Sequence, residues 1–538
     1  MTGRKSLKQK TVDRLYCYRV CISVDHEPKR NRNGMRLVSI SALLLLTGAT
    51  VWANTITVNT AADAVANDRL CSLREAIENA NDHGQTNVDC AAGSNGSDTI
   101  IFDAGLDGAT ITVTQPGDTG FSGSAYEILQ GTTLSIDASS LAHGITITRS
   151  SATGTPNFRL LYVAYNGTAA LSNVTLMGGQ SDSGAGIDSL GTVFLSQCSV
   201  IGNTATIGGA GISNGYGSMT ISNVIVSGNS LTGTDPSGMT KFYGAGIFNS
   251  GSFNASNLTI TNNSLAVSGS STGVGGGIAN YGSMTLDRAV VENNQVSGYA
   301  DAAGIYNAAT AKISESTIIN NRTTNSWYTS TTGGIYNGTI PGGATLTLSQ
   351  SLVSGNNGVG IGNFEASATV VNTTISQNGA DGISHNPGAY SPTFTVINST
   401  IANNVGHGVN GPSSLSLSNT IVAGNVGGNC AHSPDISQGA VDNGGNLDDG
   451  SSCGFGASSY SNTDPMLGPL GYHGGQSQSL VPAWGSVAIN HGIDSVCVAI
   501  PVSAVDQRGV PRAQGLQCDI GAVEWRITDD TIFANEFD

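Results

Sequence analysis

The chain has 538 residues, of which 73 are glycine and only 11% are charged. Its formal net charge is −16, and it becomes −23 without residues 1–53, which carry ten Lys or Arg and three Asp or Glu. Such an acidic chain repels nucleic acid and anionic membrane surfaces, so we exclude nucleic-acid binding. Glycine mixed with Ser, Thr, Asn, Val and Ile favours many short strands separated by tight turns over disorder.

The first 53 residues have the features of an export signal. Arg36 precedes an apolar run over 37–46, and Val51 and Ala53 supply the small residues of a signal peptidase site. Met35 fits the true translation start, and residues 1–34 would then be an upstream extension. The alternative is that residues 1–34 form an unusually long basic n-region of the signal peptide. In both cases we expect cleavage near Ala53 and an extracellular or cell-surface protein without a transmembrane segment, since the run is too short to span a bilayer.

A strand over 54–58 is predicted next, followed by the one convincing helix, over 71–80. Ser72 and Glu75 form a capping box at its start. We expect this helix to cover the open end of a repeat stack, because terminal units need such a cap. Its apolar stripe consists of Leu73, Ala76, Ile77 and Ala80.

The phrase G-I-x-N recurs six times between Gly211 and Asn363. Each copy precedes two short apolar-alternating segments and a second asparagine, a period typical of stacked coils. We predict an all-β fold, a right-handed parallel β-helix (a pectate-lyase-like solenoid), with about ten coils over 160–430 and a length of roughly 50 Å. Its interior column should comprise Ile212, Ile247, Ile278, Ile305, Ile335, Ile361 and Ile383.

Two asparagines per coil are expected at turns, where their carboxamides can bond backbone groups and one another along the stack. The first is the last residue of each G-I-x-N. The second series comprises Asn203, Asn229, Asn262, Asn293, Asn320, Asn356, Asn378, Asn403 and Asn425.

The connections that follow the second asparagine are long in the early and central coils and short in the later ones. Insertions at one position of a repeat map to one face, which is often the binding face. The long connections carry aromatic residues with polar neighbours, a combination that suits sugar rings or protein partners, and packing of these rings over the helix wall is the alternative. The candidate ligand-binding residues are Lys241, Phe242, Tyr243, Tyr299, Trp327 and Tyr328.

No catalytic set is recognisable in the sequence. A lyase acting on uronates needs a base and further cations, and a glycosidase needs two carboxylates flanking a cleft. Asp287 and Glu292 match the second requirement only weakly, and Asp448-Asp449 suits a turn or a weak calcium site. We therefore expect no metal site and no cofactor, with calcium as the alternative. The repeats contain only four cations, Lys241, Arg288, Lys312 and Arg322.

Seven cysteines follow the predicted cleavage site. Six of them are near neighbours in sequence, and in an exported protein this proximity favours three disulfides. Cys198 then remains as a buried thiol. Zinc is the alternative, but the chain has no C-x-x-C or paired His spacing. The expected pairs are Cys71 with Cys90, Cys430 with Cys453, and Cys497 with Cys518.

Charged residues are concentrated near the C-terminus. They form either a site or, as we favour, ion pairs that hold a terminal domain on the last coil. The group comprises Asp506, Arg508, Arg512, Asp519 and Glu524.

Motifs at both ends resemble those of one family. CSLREAIENAN at 71–81 is similar to the CSLREA-type N-terminal region of secreted bacterial parallel β-helix proteins. DPMLGPL at 464–470, DQRG at 506–509 and DIGAVE at 519–524 resemble the choice-of-anchor Q domain of such proteins, and 530–538 is similar to short tails on exported bacterial proteins. The resemblance implies a bacterial surface or secreted protein, and the family has no established activity.

The predicted organisation is an extension with a signal peptide over 1–53, a cap with the first coils over 54–159, repeats over 160–430, a small disulfide-stapled terminal domain over 431–525, and a candidate sorting tail over 526–538. We hypothesise a monomeric, adhesin-like or carbohydrate-binding structural protein whose partner is an extracellular glycan or a cell-surface molecule. The alternative is a polysaccharide lyase or glycoside hydrolase acting in the β-helix groove.

Overall fold

The structure is a computed structural model of the chain. It describes residues 53–117, 123–234, 241–268, 272–298, 300–324, 332–338, 343–389, 391–431 and 439–529. Residues Val51–Asp538 form one compact unit. The predicted export signal, apart from Ala53, and the tail over 530–538 lie outside the described residues.

The fold is a parallel β-helix, as predicted. A typical coil passes through three sheets, for example from Ile212–Asn214 to Ser218–Ser227 and then to Ser230–Thr234. Each of these strands pairs in parallel with its equivalent in the next coil. The backbone groups of one coil therefore bond those of its neighbours, while the apolar side chains face the inside of the tube.

The largest sheet, here called the main sheet, has 25 strands among the described residues. Most coils contribute two strands to it, separated by one turn. The sheet continues to Leu447–Asp448, beyond residue 430, where the predicted repeats end. Its strands are Thr55–Val58, Ser97–Phe102, Thr110–Val113, Thr133–Asp137, Ile145–Arg149, Thr168–Ser172, Val174–Met177, Thr192–Ser196, Ser199–Ile201, Ser218–Ser227, Ser252–Thr261, Ser283–Asp287, Val290–Glu292, Thr310–Ser314, Thr317–Ile319, Thr345–Ser349, Leu352–Ser354, Ser367–Val371, Thr374–Ser376, Phe394–Ile397, Thr400–Ala402, Leu415–Ser418, Ile421–Ala423, Val441–Asp442 and Leu447–Asp448.

Two further sheets complete the coils in the described part of the chain. The G-I-x-N strands form a twelve-stranded sheet, and the segments after the second asparagine form a nine-stranded sheet, here called the side sheet. The twelve-stranded sheet comprises Ser124–Ile128, Arg159–Val163, Ile187–Ser189, Ile212–Asn214, Ile247–Asn249, Ile278–Asn280, Ile305–Asn307, Thr332–Gly338, Val359–Phe364, Ile383–Asn386, Val409–Asn410 and Cys430–Ala431. The side sheet comprises Gln180–Ser183, Thr204–Gly208, Ser230–Thr234, Lys241–Tyr243, Ser264–Ser268, Thr272–Val274, Gln295–Ser297, Ala300–Asp301 and Arg322–Thr324.

The predicted isoleucine column is confirmed. Ile212 pairs with Ile247, Ile247 with Ile278, and the register continues unbroken to Ile383. All seven side chains are fully buried in the main core. The glycine before each isoleucine is needed for close approach: a Cβ at Gly211 would lie 2.6 Å from the carbonyl oxygen of Gly246.

The asparagines of G-I-x-N form a buried hydrogen-bonded ladder. Each carboxamide nitrogen from Asn214 to Asn337 donates to the carboxamide oxygen of the next coil, at 2.6–2.7 Å. These residues end strands rather than occupying turns, which corrects the expected position but not the expected bonding.

A second buried ladder follows the main sheet, and here four of the predicted members are wrong. In four pairs of adjacent asparagines the second one enters the ladder, with Nδ2 to Oδ1 distances of 2.9–3.0 Å, whereas in Asn356-Asn357 the first one does, as predicted. In those four pairs the first one adopts a left-handed backbone conformation, which asparagine tolerates better than most residues. Asn263, Asn294, Asn321 and Asn404 therefore replace Asn262, Asn293, Asn320 and Asn403.

His385 takes the place of asparagine at one coil of the first ladder. It pairs in register with Asn363, whose Nδ2 lies 2.9 Å from His385 Nδ1. Nδ1 must accept this bond, so the neutral ring donates from Nε2 to the Ser414 hydroxyl at 3.0 Å. Burial lowers the pKa of His385 from 6.5 to about 4.

Acid should therefore destabilise the wild-type protein through His385. The unfolded imidazole binds a proton below its pKa of 6.5, whereas the folded one does so only near pH 4, so stability falls as the pH drops through this window. His385→Asn restores an asparagine and removes the titration. Urea midpoints at about pH 7 and about pH 4.5 should differ less for this variant than for the wild type. Equal losses in both proteins would contradict the assignment.

An α-helix, α1 (Leu73–Asn81), covers the first coils. The Ser72 hydroxyl accepts from Glu75 N, and the Glu75 carboxylate accepts from Ser72 N at 2.9 Å, which is the predicted capping box. The helix contacts Thr55–Val58, the terminal strand of the main sheet. Its apolar residues Leu73, Ala76, Ile77 and Ala80 join the main core. The other helices of the described chain are α2 (Asp494–Val498) and two 3₁₀ turns, Ala104–Leu106 and Ile527–Asp529.

Three disulfides join the pairs expected from sequence proximity, and Cys198 is a free, buried thiol. None of the described helices is long and apolar enough to cross a membrane. The disulfides are Cys71–Cys90, Cys430–Cys453 and Cys497–Cys518.

The C-terminal segment over 464–529 packs on the side wall of four consecutive coils. It meets them at the turn between the two main-sheet strands of each coil, where the turn residues have left-handed backbones. The segment also packs on the expected last coil, where Ala488 and Ile520 join Leu447 in one apolar cluster, so the lock extends over more coils than the sequence predicts. The contacts are Gln350 Nε2 to Asp506 O (3.2 Å), Arg512 Nη2 to Asn372 Oδ1 (3.1 Å), Thr374 Oγ1 to Gln507 Oε1 (2.6 Å), Ala522 N to Thr400 Oγ1 (3.0 Å) and Ile493 N to Asn419 Oδ1 (2.8 Å).

The predicted C-terminal charges form a buried ion-pair network. Arg508 Nε lies 3.0 Å from Asp506 Oδ2, and Arg512 Nη1 lies 3.4 Å from Glu524 Oε2. Burial, followed by the charge of Glu524, raises the pKa of Asp519 to about 7. Hydrogen bonds among these residues and to the coils explain the network as a structural lock.

Candidate functional site

The long connections build the side sheet, which has a small core of its own. Outgoing strands such as Ser230–Thr234 stack on their equivalents in the next coils, and so do returning strands such as Lys241–Tyr243. Between the two rows, Leu231, Phe242 and Leu265 are buried in a cluster separate from the main core. The described parts of the connections are thus strands, and they pack over Ala210, Ala245 and Ala303 of the coils, which is the packing expected as the alternative.

The structure separates the predicted binding residues. Phe242 is only 2% exposed and packs in the core of the side sheet, so its prediction as a binding platform is wrong. Strand alternation is the reason: in Lys241–Tyr243 the middle residue faces inward, while its two neighbours face outward. A Cβ at Gly233 would lie 2.1 Å from the Phe242 ring, which shows how tightly the ring is held. The remaining candidates, Tyr299, Trp327 and Tyr328, lie outside the described residues.

Tyr243 instead belongs to a row of five aromatic rings that runs along the helix axis, here called the aromatic ladder. Neighbouring ring centroids are 5.1–6.0 Å apart. The arrangement varies from edge-on, for Tyr243 and Tyr281, to stacked, for Tyr306 and Tyr336. All five rings are half-buried. The members are Tyr243, Phe248, Tyr281, Tyr306 and Tyr336.

The sequence already contained the signal for most of this ladder. Phe248, Tyr306 and Tyr336 occupy the variable position of G-I-x-N, between a buried isoleucine and a buried asparagine. That position points away from the core, because side chains alternate along a strand. Pairing in register then brings Tyr306 beside Tyr336. In the coil before Tyr306 this position is Ala279, and the ring of Tyr281 lies between those of Phe248 and Tyr306 instead.

Burial favours the neutral form of three phenols of the ladder. Burial raises the pKa of Tyr243, Tyr281 and Tyr306, and the interactions between the Tyr281 and Tyr306 hydroxyls add to this for Tyr281. The hydroxyls therefore remain able to donate and accept hydrogen bonds at all physiological pH values. Apolar ring edges beside such hydroxyls form a surface that suits polyols.

A carboxylate lies beside the ladder. Asp301 follows Tyr243 and Val274 in one row of the side sheet, so the three side chains point to the same face. Its charge acts on the Tyr306 hydroxyl, and burial raises the pKa of Asp301. Among the described residues, no donor or cation contacts this carboxylate.

A second charged group lies earlier along the same face. Arg159 is buried. Its Nη1 forms an ion pair of 2.8 Å with Asp188 Oδ2, and its Nη2 lies 3.8 Å from Asp182 Oδ1. Its guanidinium also lies 5.5 Å from the centre of the Tyr162 ring. Burial raises the pKa of Asp188, and Arg159 opposes this change. Both acids thus contact a cation, an arrangement that favours structural pairing over acid–base catalysis.

The other acids singled out in the sequence do not form a cleft. Asp287 contacts Arg288, and Arg288 lies 3.6 Å from Glu315 of the next coil. Asp448 is buried and accepts from Gly450 N at 2.8 Å and Cys453 N at 3.0 Å, so it stabilises a turn. Within the described ranges, no group of three or more His, Cys, Asp or Glu could hold a metal ion.

Comparisons with known proteins add little to this geometry. No family model and no curated protein sequence matches the chain. Among solved structures, it is similar to the crystal structure of pectate lyase Pel9A, with a TM-score of 0.36 and 13% identity over 89% of this chain and 98% of that one. The functional argument therefore depends on the residues of the aromatic ladder.

Proposed function

We propose that the protein is an exported, adhesin-like β-helix that binds an extended glycan along its aromatic ladder. The observation that carries the proposal is the line of half-buried rings and neutral hydroxyls on the outer face of successive coils. Rings repeated at 5–6 Å along a rigid axis match a ligand that is itself a linear repeat of amphipathic rings.

The rings of this face are held rigidly, and this favours a role in ligand binding over rings that are exposed without a function. The ladder residues Phe248, Tyr306 and Tyr336 are each flanked in the strand by residues that the isoleucine column and the asparagine ladder hold in place. A preformed site loses little conformational entropy when it binds, so more of the contact energy appears as affinity.

Export and surface display belong to the same proposal. The signal-like segment over 1–53, the CSLREA-type motif at 71–81 and the choice-of-anchor Q-like motifs at 464–524 support it. Three disulfides and the acidic balance of the chain are compatible with an oxidising, extracellular environment. Identification of the N-terminus of the protein isolated from its native cells tests this part, with cleavage after Ala53 expected.

Tyr306→Ala combined with Tyr336→Ala should lower glycan affinity at least about tenfold, because it removes two adjacent rings, each worth roughly a kcal/mol or more in such contacts. The measurement is binding of the full chain to a glycan array, followed by titration of the strongest glycan. Phe194→Ala is the matched control, since Phe194 is an exposed aromatic residue of the main sheet.

Two results would count against glycan binding at the ladder. One is the absence of binding to any glycan by the wild type, and the other is equal loss in the Phe194 control and the double variant. Release of unsaturated products from a polyuronate would instead favour the lyase alternative. Far-UV circular dichroism of each variant checks that the coils remain folded.

A further inference from the structure

We infer that the glycan bound at the aromatic ladder is uncharged and that Asp301 excludes uronate polymers. This inference rests on the proposed function, and it adds the chemical class of the ligand. It begins from the one carboxylate at the ladder whose charge no neighbouring group in the described chain balances.

The position of Asp301 makes it part of the binding face. It occupies the row of Tyr243 and Val274 on the returning strands of the side sheet. It precedes Tyr306 by five residues, as Tyr243 precedes Phe248, and the rings of that equivalent pair are 5.3 Å apart. The carboxylate is half-buried, so solvent screens it less than a surface charge. A ligand ring placed over Tyr306 would therefore lie next to this acid.

A carboxylate in this place can do two things for recognition. It accepts charge-assisted hydrogen bonds from sugar hydroxyls, which are stronger than bonds between neutral groups. It also repels a ligand carboxylate. Bringing two like charges together in a partly buried place costs more free energy than the ligand carboxylate gains from hydrogen bonds to the tyrosine hydroxyls. The same residue thus favours a neutral hexose chain and disfavours the corresponding uronate.

The cations near the face do not reverse this preference. Arg159 lies earlier along the face and is already paired with Asp188 and Asp182. Lys241 points to the same side as Tyr243, but its side chain is exposed, so salt screens its charge. A uronate polymer would find no unpaired, buried cation among the described residues of this face.

Matched pairs of polymers test the inference directly. The full chain is titrated with galactan and polygalacturonate, with glucan and polyglucuronate, and with mannan and polymannuronate, at low salt. We expect the wild type to bind at least one neutral polymer, and to bind it about tenfold or more tightly than its uronate partner, or about 1.4 kcal/mol.

Asp301→Asn keeps the shape of the side chain and removes its charge. The ratio between the affinities for a neutral polymer and for its uronate partner should therefore fall close to one. Glu292→Gln is the control, because it changes the net charge equally but lies on the main sheet. The inference fails if any uronate polymer binds more tightly than its neutral partner, or if Asp301→Asn leaves the ratio unchanged. If the wild type binds none of the six polymers and no glycan on the array, the proposed function fails together with the inference.

Discussion

Replacing Asn294 with alanine is expected to lower the free energy of unfolding by roughly 3 to 5 kcal/mol. Asn294 Oδ1 accepts from both the backbone N–H and the carboxamide of Asn263, and its Nδ2 donates to Ile260 O at 2.9 Å. Alanine removes all three bonds in a buried place, although Asn263 Nδ2 keeps its bond to Val226 O, and each buried group that loses its partner costs about 1 to 3 kcal/mol. A urea titration followed by far-UV circular dichroism measures the loss.

Asn293→Gly provides a matched control at the adjacent position. Asn293 has a left-handed backbone, which glycine adopts freely, and its side chain lies outside the ladder. We expect a change below about 1 kcal/mol. Equal destabilisation by the two substitutions would show that the ladder does not carry this stability.

Arg512→Met should release the C-terminal segment from the coils and cost about 3 to 5 kcal/mol. The Arg512 side chain is fully buried and donates to Asn372 Oδ1 on the side wall and to Gly521 O at 2.8 Å. Methionine fills much of the space but leaves Glu524 without its cation, and an unpaired buried charge is more costly than a missing pair. Hydrogen exchange over 464–529 should accelerate while exchange in the coils stays slow.

Arg526→Met is the control for this prediction. Arg526 is also an arginine paired with an acid, Asp529, but its side chain is 35% exposed. Asp529 keeps its ion pair with the buried Arg508 when Arg526 is replaced, and a pair with a partly exposed partner contributes no more than about 1 kcal/mol. If Arg526→Met and Arg512→Met accelerate exchange equally, the burial of Arg512 is not what holds the segment in place.

The β-helix was predictable because its signal is repeated. A phrase that places isoleucine and asparagine at fixed positions in successive coils leaves only a stacked arrangement in which those side chains meet their equivalents. The choice within each Asn-Asn pair was not predictable from the phrase alone. It depends on which residue adopts the left-handed conformation, as Asn293 does, and this depends on where the strand of the coil ends.

The candidate site was predicted only in part. Tyr243 was identified because it lies in a long connection, and Phe242 was included with it because nothing in the sequence shows which face of a short strand is covered. That face became clear only from the cluster of the side sheet, whose members come from several coils. Tyr306 and Tyr336 occupy the variable position of G-I-x-N, so they are not part of the repeated signal that predicts the fold.

The docking of the C-terminal segment depends on contacts that are distant in sequence. Thr374 and Gln507 are separated by 133 residues, and Arg512 and Asn372 by 140. Proximity along the chain therefore predicted the packing on the last coil, but not the bonds that the charged group and its neighbours make to earlier coils.

This side-wall docking has a mechanical consequence. A pulling force applied to the chain end after residue 529 first loads the segment over 464–529, which is fastened to four coils by bonds at Gln350, Asn372, Thr400 and Asn419. The tension is shared among these attachments and acts on them together, so the final coil is not peeled from the stack alone. The segment therefore distributes an applied force over the coils that it crosses.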